Sequence, residues 1–222
     1  YNNSAMFAPK GYMTDYLTDE AVSAIKANKN RPFFMYYAPN AIHTPLQATK
    51  ADYDALPQIK DHRLRVYAAM VRNLDRNVGR VLQTLKDEGL DDNTLVIFTS
   101  DNGAPGYIGL PDVNQPYRGW KLTMFQGGLR VPYVAKWPGH IPAGSQYAPP
   151  VSNIDILPTA LAAAGAGLPP GRAIDGVNLL PYLASGGPAQ PARPLFWRDG
   201  PYRALQDGGW KLIESARPRK DW

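Results

Sequence analysis

The chain has 222 residues, with 24 Lys and Arg against 19 Asp and Glu, which gives a formal net charge of +5. Its hydrophobic fraction of 44% and charged fraction of 19% are those of a globular protein rather than a disordered one. Because the sequence has no cysteine, disulfide bonds, thiolate metal sites and cysteine nucleophiles are excluded from these residues. No apolar run approaches the ~20 residues that span a bilayer, and the scattered basic residues are not interleaved with aromatics as on a nucleic-acid-binding face.

The first predicted elements are a helix and a strand. Residues 14–29 carry acidic side chains near the start and lysines near the end, which suits a helix dipole, and Thr18 is the predicted N-cap. Residues 33–38 (FFMYYA) are a continuous apolar run of strand length. Such a run predicts a strand that is buried on both faces.

A long amphipathic helix and a second strand follow. Apolar side chains recur at intervals of three and four within residues 61–88 and predict one apolar stripe: Leu64, Tyr67, Val71, Leu74, Val78, Leu82 and Leu85. Gly89 is the predicted C-cap. Residues 94–99 (TLVIFT) predict a second buried strand. A strand, a helix and a strand in this order predict an α/β fold, with a mainly parallel sheet flanked by helices.

The rest of the chain predicts a smaller C-terminal part. Residues 131–137 are a third strand candidate, and a helix is expected from near Asn153 to Gly165. Residues 195–213 alternate short apolar runs with turns, which predicts antiparallel strands. We therefore divide the chain into an α/β domain, residues 1–165, and a loop-rich subdomain with short antiparallel strands, residues 166–222.

Polar residues follow both of the strands predicted to be parallel. His43 comes after residues 33–38, and Asp101 and Asn102 come after residues 94–99. Because ligands of open α/β sheets bind beyond the carboxyl ends of the strands, we expect these three side chains in one crevice. Neighbouring carboxylate and amide oxygens suit a hard cation such as Ca²⁺ or Mg²⁺. A plain Asp-Asn-Gly turn and a histidine bonded to the backbone explain the same residues.

A long loop leads from this turn to a lysine. Residues 102–120 show no periodicity, and a loop of this length in a compact domain is typically functional or disordered. Lys121 follows it and would anchor an anion at the edge of the sheet, although a solvated lysine is the commoner case. Gly127 and Gly128 allow close backbone approach before the third strand. Six loop residues can face a sugar or an aryl group, or pack the loop: Tyr107, Asp112, Asn114, Tyr117, Arg118 and Trp120.

Seven blocks of the sequence carry a resemblance to a known family. They stand in this order: YYAPNAIHTPLQ at 36–47, YAAMVRNLD at 67–75, NTLVIFTSDNG at 93–103, RGWK at 118–121, GGLRVP at 127–132, NIDILPT at 153–159 and GWKLI at 209–213. Together they resemble the later two thirds of a type I (formylglycine-dependent) sulfatase, an arylsulfatase-like enzyme of the alkaline phosphatase superfamily. The resemblance covers nearly the whole chain.

The resemblance implies a sulfuric ester hydrolase and a role for each matching residue. Asp101 and Asn102 look like two oxygen ligands of a catalytic Ca²⁺. Lys121 looks like the lysine that binds a sulfate oxygen and the leaving-group side. His43 looks like the histidine that contacts the ester and helps protonate the departing alcohol. The implied substrate is a small-molecule or carbohydrate sulfate ester, and the implied location is periplasmic or secreted. Arg130 is interpreted as structural.

Other parts of the family pattern are missing from this sequence. Family members carry an early Asp-Asp pair that completes the metal site, and a Cys- or Ser-x-Pro-x-Arg motif whose first residue becomes formylglycine. The sequence has no such motif. We therefore expect a fragment of a longer enzyme, with formylglycine in the missing upstream segment, and an isolated 222-residue segment without turnover. Two alternatives stay open: a phosphodiesterase or phosphonate monoester hydrolase of the same superfamily, and a non-catalytic anion-binding module.

Overall fold

The computed structural model describes residues 5–184 and 193–214. The helices are α1 (Met13–Asn28), α2 (Lys50–Asp54), α3 (His62–Asp87), α4 (Gln126–Leu129), α5 (Ile156–Ala163) and α6 (Leu180–Leu183). The strands are β1 (Val96–Thr99), β2 (Tyr133–Lys136), β3 (Leu195–Asp199), β4 (Tyr202–Asp207) and β5 (Trp210–Glu214). The chain divides into two compact units, Tyr1–Thr94 and Leu95–Trp222. The division after residue 165 stays a prediction.

Helix α1 lies where the sequence predicts a helix, but it starts earlier than its predicted N-cap. The N-cap is Tyr12, whose backbone is extended. Thr18 lies inside the helix and is fully buried, and its Oγ1 donates to Thr14 O at 2.7 Å. The same oxygen shares a 2.6 Å hydrogen bond with the Tyr37 hydroxyl. The N-cap prediction for Thr18 is wrong, because the hydroxyl satisfies itself within the helix and against a neighbouring segment.

Helix α3 has the predicted length and ends. Asp61 caps its start, with Oδ1 accepting from Leu64 N at 2.7 Å, and Gly89 adopts a left-handed φ of 70° just beyond its end. The buried face coincides only in part with the predicted apolar stripe: Leu85 is 3% exposed and Leu64 38%. The fully buried side chains at its centre are Asn73 and Asn77. Amide groups are tolerated there because they hydrogen-bond to one another and to carboxylates of neighbouring helices.

Residues 33–38 are not a β-strand, which corrects the prediction. Their side chains alternate between half-buried and exposed, and Phe34 and Tyr36 are 75% and 85% exposed. A strand needs a hydrogen-bonded neighbour, and no strand within residues 5–184 and 193–214 pairs with this segment. The expected parallel pair with residues 94–99 is therefore absent from the described part of the chain.

The second unit contains two antiparallel sheets. Strand β1 pairs with β2, with Val96 opposite Lys136 and Thr99 opposite Tyr133. Strands β3, β4 and β5 form a three-stranded sheet in that order, which confirms the predicted antiparallel strands near the C-terminus. Within the described ranges, no helix is long and apolar enough to cross a membrane.

A buried carboxylate fixes the start of helix α5. The side chain of Asp155 is fully buried and forms a capping box with Ser152, whose N–H donates to Oδ2 at 2.8 Å. Oδ1 accepts from Val177 N at 2.9 Å, and Arg193 forms an ion pair with the same side chain. Asp155 therefore ties the helix predicted near residues 153–165 to the chain that follows it.

Lys211 on β5 carries a buried ammonium group, and its removal is expected to stabilise the fold. Its Nζ has no hydrogen-bond partner among the described residues and lies 5.4 Å from the centre of the Trp197 ring. Burial lowers the pKa of Lys211. We expect Lys211→Met to raise the free energy of unfolding by about 1 kcal/mol at pH 7, after the loss of the cation–π contact.

The pH dependence of this gain follows from the direction of the shift. In the wild type, the buried charge of Lys211 destabilises the fold fully at a pH below the lowered pKa. This destabilisation disappears as the pH approaches about 10.4, the pKa of lysine in the unfolded chain. The gain of Lys211→Met should therefore shrink between pH 7 and pH 10.5 in urea unfolding. Lys86→Met, at an exposed position of α3, serves as the control. Equal stability changes for the two variants would contradict the prediction.

Candidate functional site

Asp101 and Asn102 lie in the turn directly after β1. Asp101 Oδ1 accepts from Asn102 N at 2.9 Å, and Asn102 Nδ2 donates to Gly103 O at 3.2 Å. Ser100 Oγ donates to Asn102 O at 3.0 Å. Asp101 Oδ2 and Asn102 Oδ1 accept no hydrogen bond from the described residues. Two side-chain oxygens of adjacent residues are thus available to a cation.

Asn153 supports this turn from the start of the segment leading into α5. Its Nδ2 donates to Ser100 O at 3.2 Å, and its Oδ1 accepts from Thr99 Oγ1 at 3.3 Å. The carboxamide therefore holds the chain just before Asp101. The sequence indicated Asn153 only as the start of a helix, because its partners lie more than fifty residues away along the chain.

The long loop folds back so that Lys121 comes next to this turn. Lys121 N donates to Ala104 O at 3.1 Å, and Gly103 N donates to Gly128 O at 3.0 Å. Residue 104 is two positions beyond Asn102, so these two backbone bonds bring the loop ends together. The structure thus gathers Asp101, Asn102 and Lys121 in one loop cluster of the second unit.

Glycine is required at two positions where backbone segments of this loop approach each other closely. A Cβ atom on Gly103 would lie 1.7 Å from Gly127 O, and one on Gly127 would lie 2.2 Å from Gly119 O. Backbone atoms cannot yield by such amounts, so both positions exclude every side chain. The close backbone approach predicted from the paired glycines is confirmed.

Asn114 holds the centre of the loop, a role that the sequence left open. Its Oδ1 accepts from Ala104 N at 2.9 Å, while its Nδ2 donates to Ala104 O at 2.9 Å and to Gly119 O at 3.2 Å. All three of these hydrogen bonds join the Asn114 amide to backbone groups, so this side chain stabilises the loop. Arg130 lies over the Tyr117 ring at 4.9 Å, in agreement with a structural interpretation.

His43 lies in the first unit, on an exposed loop. Its backbone N donates to Asn40 O at 2.8 Å. Its Nδ1 is 2.9 Å from Thr44 O, and since a carbonyl oxygen only accepts, Nδ1 is the donor. The structure thus fixes the ring locally. A crevice shared with Asp101 and Asn102 stays a prediction.

A buried carboxylate anchors the segment that follows His43. Asp52 on α2 is 1% exposed and accepts from Arg72 Nη1 at 2.5 Å and from Arg76 Nη1 at 2.6 Å. Asn73 Nδ2 donates to it at 3.1 Å and Thr49 Oγ1 at 2.8 Å. These hydrogen bonds hold the pKa of Asp52 well below its usual range, and the bond from the Arg76 guanidinium has the largest effect. The sequence analysis missed Asp52, since nothing in its local pattern distinguishes it from a surface residue.

Comparison with known proteins identifies the family. The family model named Sulfatase matches residues 1–166. The chain belongs to the sulfatase family. Human N-acetylgalactosamine-6-sulfatase is 40% identical over 192 residues, which are 85% of this chain and 35% of that enzyme. The uncharacterized sulfatase YdeN of Escherichia coli K12 is 36% identical over 210 residues, which are 89% of this chain and 36% of YdeN. The chain thus spans about a third of the length of these sulfatases.

Solved structures confirm the predicted α/β fold of the alkaline phosphatase type. Ps i-CgsB, in complex with k-i-k-neocarrahexaose, matches with a TM-score of 0.88 and 35% identity over 97% of this chain and 49% of that one. BT33336S-sulf of Bacteroides thetaiotaomicron matches with a TM-score of 0.76 and 26% identity over 92% of this chain and 44% of that one. The sulfatase scaffold therefore accommodates the antiparallel strand pairs of the second unit.

Membership of the sulfatase family implies a metal ion and a formylglycine. No group of three or more His, Asp or Glu side chains within the described ranges is close enough to hold a metal. Asp101 and Asn102 nevertheless provide two hard oxygen donors in one turn, which fits part of the ligand set of a hard metal cation. The sequence has no cysteine and no Ser-x-Pro-x-Arg motif, so these residues do not fit a formylglycine.

Proposed function

We propose that the complete protein containing these residues hydrolyses a sulfate ester of a carbohydrate. The backbone clamp that brings Lys121 next to the Asp101–Asn102 turn carries the proposal, because it brings the chain segment of a lysine close to two side chains whose oxygens could hold a metal ion. The names of the relatives support the substrate class, since one is an N-acetylgalactosamine-6-sulfatase and another is solved with neocarrahexaose. A periplasmic or secreted location is proposed on the same family grounds.

Each proposed residue has a separate chemical task. In hydrolysis an oxygen nucleophile forms a new S–O bond while the S–O bond to the alcohol breaks. Negative charge then develops on the bridging oxygen of the departing alcohol. The Lys121 ammonium binds a sulfate oxygen and offsets this charge. His43 delivers a proton to the departing alcohol oxygen. Asp101 and Asn102 would hold Ca²⁺, which supplies further stabilisation of the sulfate charge when bound.

Relative rates on two esters test this function. The complete protein should hydrolyse 4-nitrophenyl sulfate faster than a 4-nitrophenyl phosphonate monoester by about a hundredfold or more. A preference for the phosphonate would favour a phosphonate monoester hydrolase instead. Binding of inorganic sulfate without turnover of either ester would favour the anion-binding module.

Metal binding through Asp101 has its own test. We expect Asp101→Asn to weaken Ca²⁺ binding about 10- to 100-fold in isothermal titration calorimetry, because a neutral amide replaces a charged oxygen donor. Removal of metal with EDTA should abolish turnover, and Ca²⁺ should restore it better than Mg²⁺. Asp112→Asn, on the exposed part of the loop, is the matched control. Unchanged Ca²⁺ affinity in Asp101→Asn would remove this residue from the metal site.

A further inference from the structure

Leu122, directly after Lys121, has an unusual backbone conformation. Its φ is 74°, and among the described residues it is the one residue other than glycine with a positive φ. Thr123 N donates to Trp120 O at 2.9 Å, so residues 120–123 form a hydrogen-bonded turn with Lys121 and Leu122 at its two central positions. The third position of such a turn normally holds glycine or asparagine. At positive φ a Cβ atom crowds the following carbonyl oxygen, a cost that glycine avoids and that asparagine offsets with local hydrogen bonds.

The surrounding residues prevent this turn from relaxing. Thr123 is 5% exposed, and its Oγ1 accepts from Trp120 N at 3.1 Å and donates to Trp120 O at 2.7 Å. Gly128 packs against the same backbone, since a Cβ there would lie 2.4 Å from Thr123 O and 2.5 Å from Trp120 O. The strain at Leu122 is therefore imposed by its neighbours.

Burial does not compensate for this strain. The Leu122 side chain is 66% exposed, so little of its apolar surface is removed from water by the residues that the structure describes. Residues kept in sparsely populated backbone regions concentrate at binding sites. An exposed leucine in this conformation beside Lys121 is accounted for if it contacts a ligand.

A second exposed apolar side chain lies next in the chain to a residue that packs on this turn. Gly106 packs on Trp120, because a Cβ on Gly106 would lie 2.9 Å from the indole ring. The next residue, Tyr107, is 60% exposed. Tyr107 and Leu122, two exposed apolar side chains, thus each follow a residue of this contact or turn directly in the chain.

We propose that Leu122 is a specificity-determining residue whose side chain contacts an apolar ring face of the alcohol part of the ester. The inference rests on the proposed function, in which Lys121 binds the sulfate group. An aryl ring and the C–H face of a pyranose share this apolar character. The contact favours esters with such a ring, while inorganic sulfate makes no use of it.

Three variants of the complete protein test the inference. Leu122→Asn should raise KM about tenfold for 4-nitrophenyl sulfate, for N-acetylgalactosamine 6-sulfate, or for both, with kcat within about twofold. Its inhibition by inorganic sulfate should not change. Its Tm should rise by about 2 °C, because asparagine adopts the left-handed conformation more readily than leucine. Leu122→Met keeps an apolar side chain and should retain a KM near that of wild type.

Leu168→Asn is the matched control, at another exposed leucine of a loop in the same unit. It should alter neither KM nor Tm. A rise in KM for only one of the two esters supports the inference and shows that Leu122 contacts the ring in the alcohol part of that ester. Where an ester binds without turnover, its Kd replaces KM.

Failure of the inference differs from failure of the proposed function. If wild type neither binds nor hydrolyses sulfate esters, both are overturned. If wild type hydrolyses them and Leu122→Asn leaves KM unchanged for both, only the role of Leu122 is overturned. A Tm that falls by several degrees in Leu122→Asn also overturns it, because Leu122 is then a packing residue of the complete protein.

Discussion

Replacing Lys121 by methionine is expected to reduce kcat/KM for a sulfate ester by about 10²- to 10³-fold in the complete protein. Methionine has a similar length and no charge. The fold should persist, because the loop is held by the backbone bond from Lys121 N to Ala104 O and by the amide of Asn114, neither of which uses the lysine side chain. Because the charge on the bridging oxygen develops in the transition state, kcat should fall more than KM rises.

Two further variants separate charge from shape at this position. Lys121→Arg keeps a cation and should lose only about tenfold in kcat/KM, since its planar group is displaced from the position of the ammonium. Lys10→Met, at an exposed site of the first unit, should leave the kinetics unchanged. Circular dichroism and Tm check that folding is retained. A kcat/KM for Lys121→Met within about threefold of wild type would eliminate Lys121 from the site.

Replacing Asp52 by asparagine is expected to lower the free energy of unfolding by about 3 kcal/mol at pH 7. The carboxylate is 1% exposed and accepts hydrogen bonds from Arg72, Arg76, Asn73 and Thr49. Asparagine removes the charge that balances two guanidinium groups. This loss of unfolding free energy is at the lower end of the range for a broken buried ion pair. The Arg72 and Arg76 side chains are 47% and 46% exposed, so water can solvate them once the carboxylate is gone.

The effect of Asp52 should depend on pH in one direction. Its pKa in the folded protein is lowered below the unfolded value of about 3.9, so the carboxylate stabilises the fold above that pH. The contribution disappears as pH falls towards the lowered pKa. The difference in unfolding free energy between wild type and Asp52→Asn should therefore be full at pH 7 and smaller at pH 3.

A neighbouring carboxylate provides the control for this prediction. Asp54 lies on the same helix α2, is 53% exposed and pairs only with Lys50 among the described residues. Asp54→Asn should change the free energy of unfolding by less than about 0.5 kcal/mol in urea titrations at pH 7, 5 and 3. If Asp52→Asn behaves like Asp54→Asn at all three values, the buried network does not stabilise the first unit.

Local patterns in the sequence predict helices α1, α3 and α5 and the C-terminal strands. Three signals define the ends of helix α3 to within a few residues. They are the period of three to four residues, the capping side chain of Asp61 and the left-handed Gly89. These signals act over one or two helical turns, so they are readable without a partner. The same holds for the turns that separate β3, β4 and β5.

The candidate site is readable only in part. Asp101, Asn102 and Lys121 follow from residue type, position after a strand and family resemblance. Asn114 and Asn153 do not, because an asparagine in a loop has no local signal that tells a backbone clamp from a surface residue. Their partners lie ten and more than fifty positions away.

The amino-acid sequence alone determines the sulfatase family, the three longest helices and the residues proposed to carry the chemistry. Tertiary structure decides which faces are buried, which residues are strained and which segments pair. Residues 33–38 have the composition of a buried strand and yet form none within the described ranges, since strand formation depends on a neighbour. Asp52 and Arg76 stand 24 positions apart and become a buried ion pair only when their helices pack, because periodicity is local and hydrogen-bond partners are not.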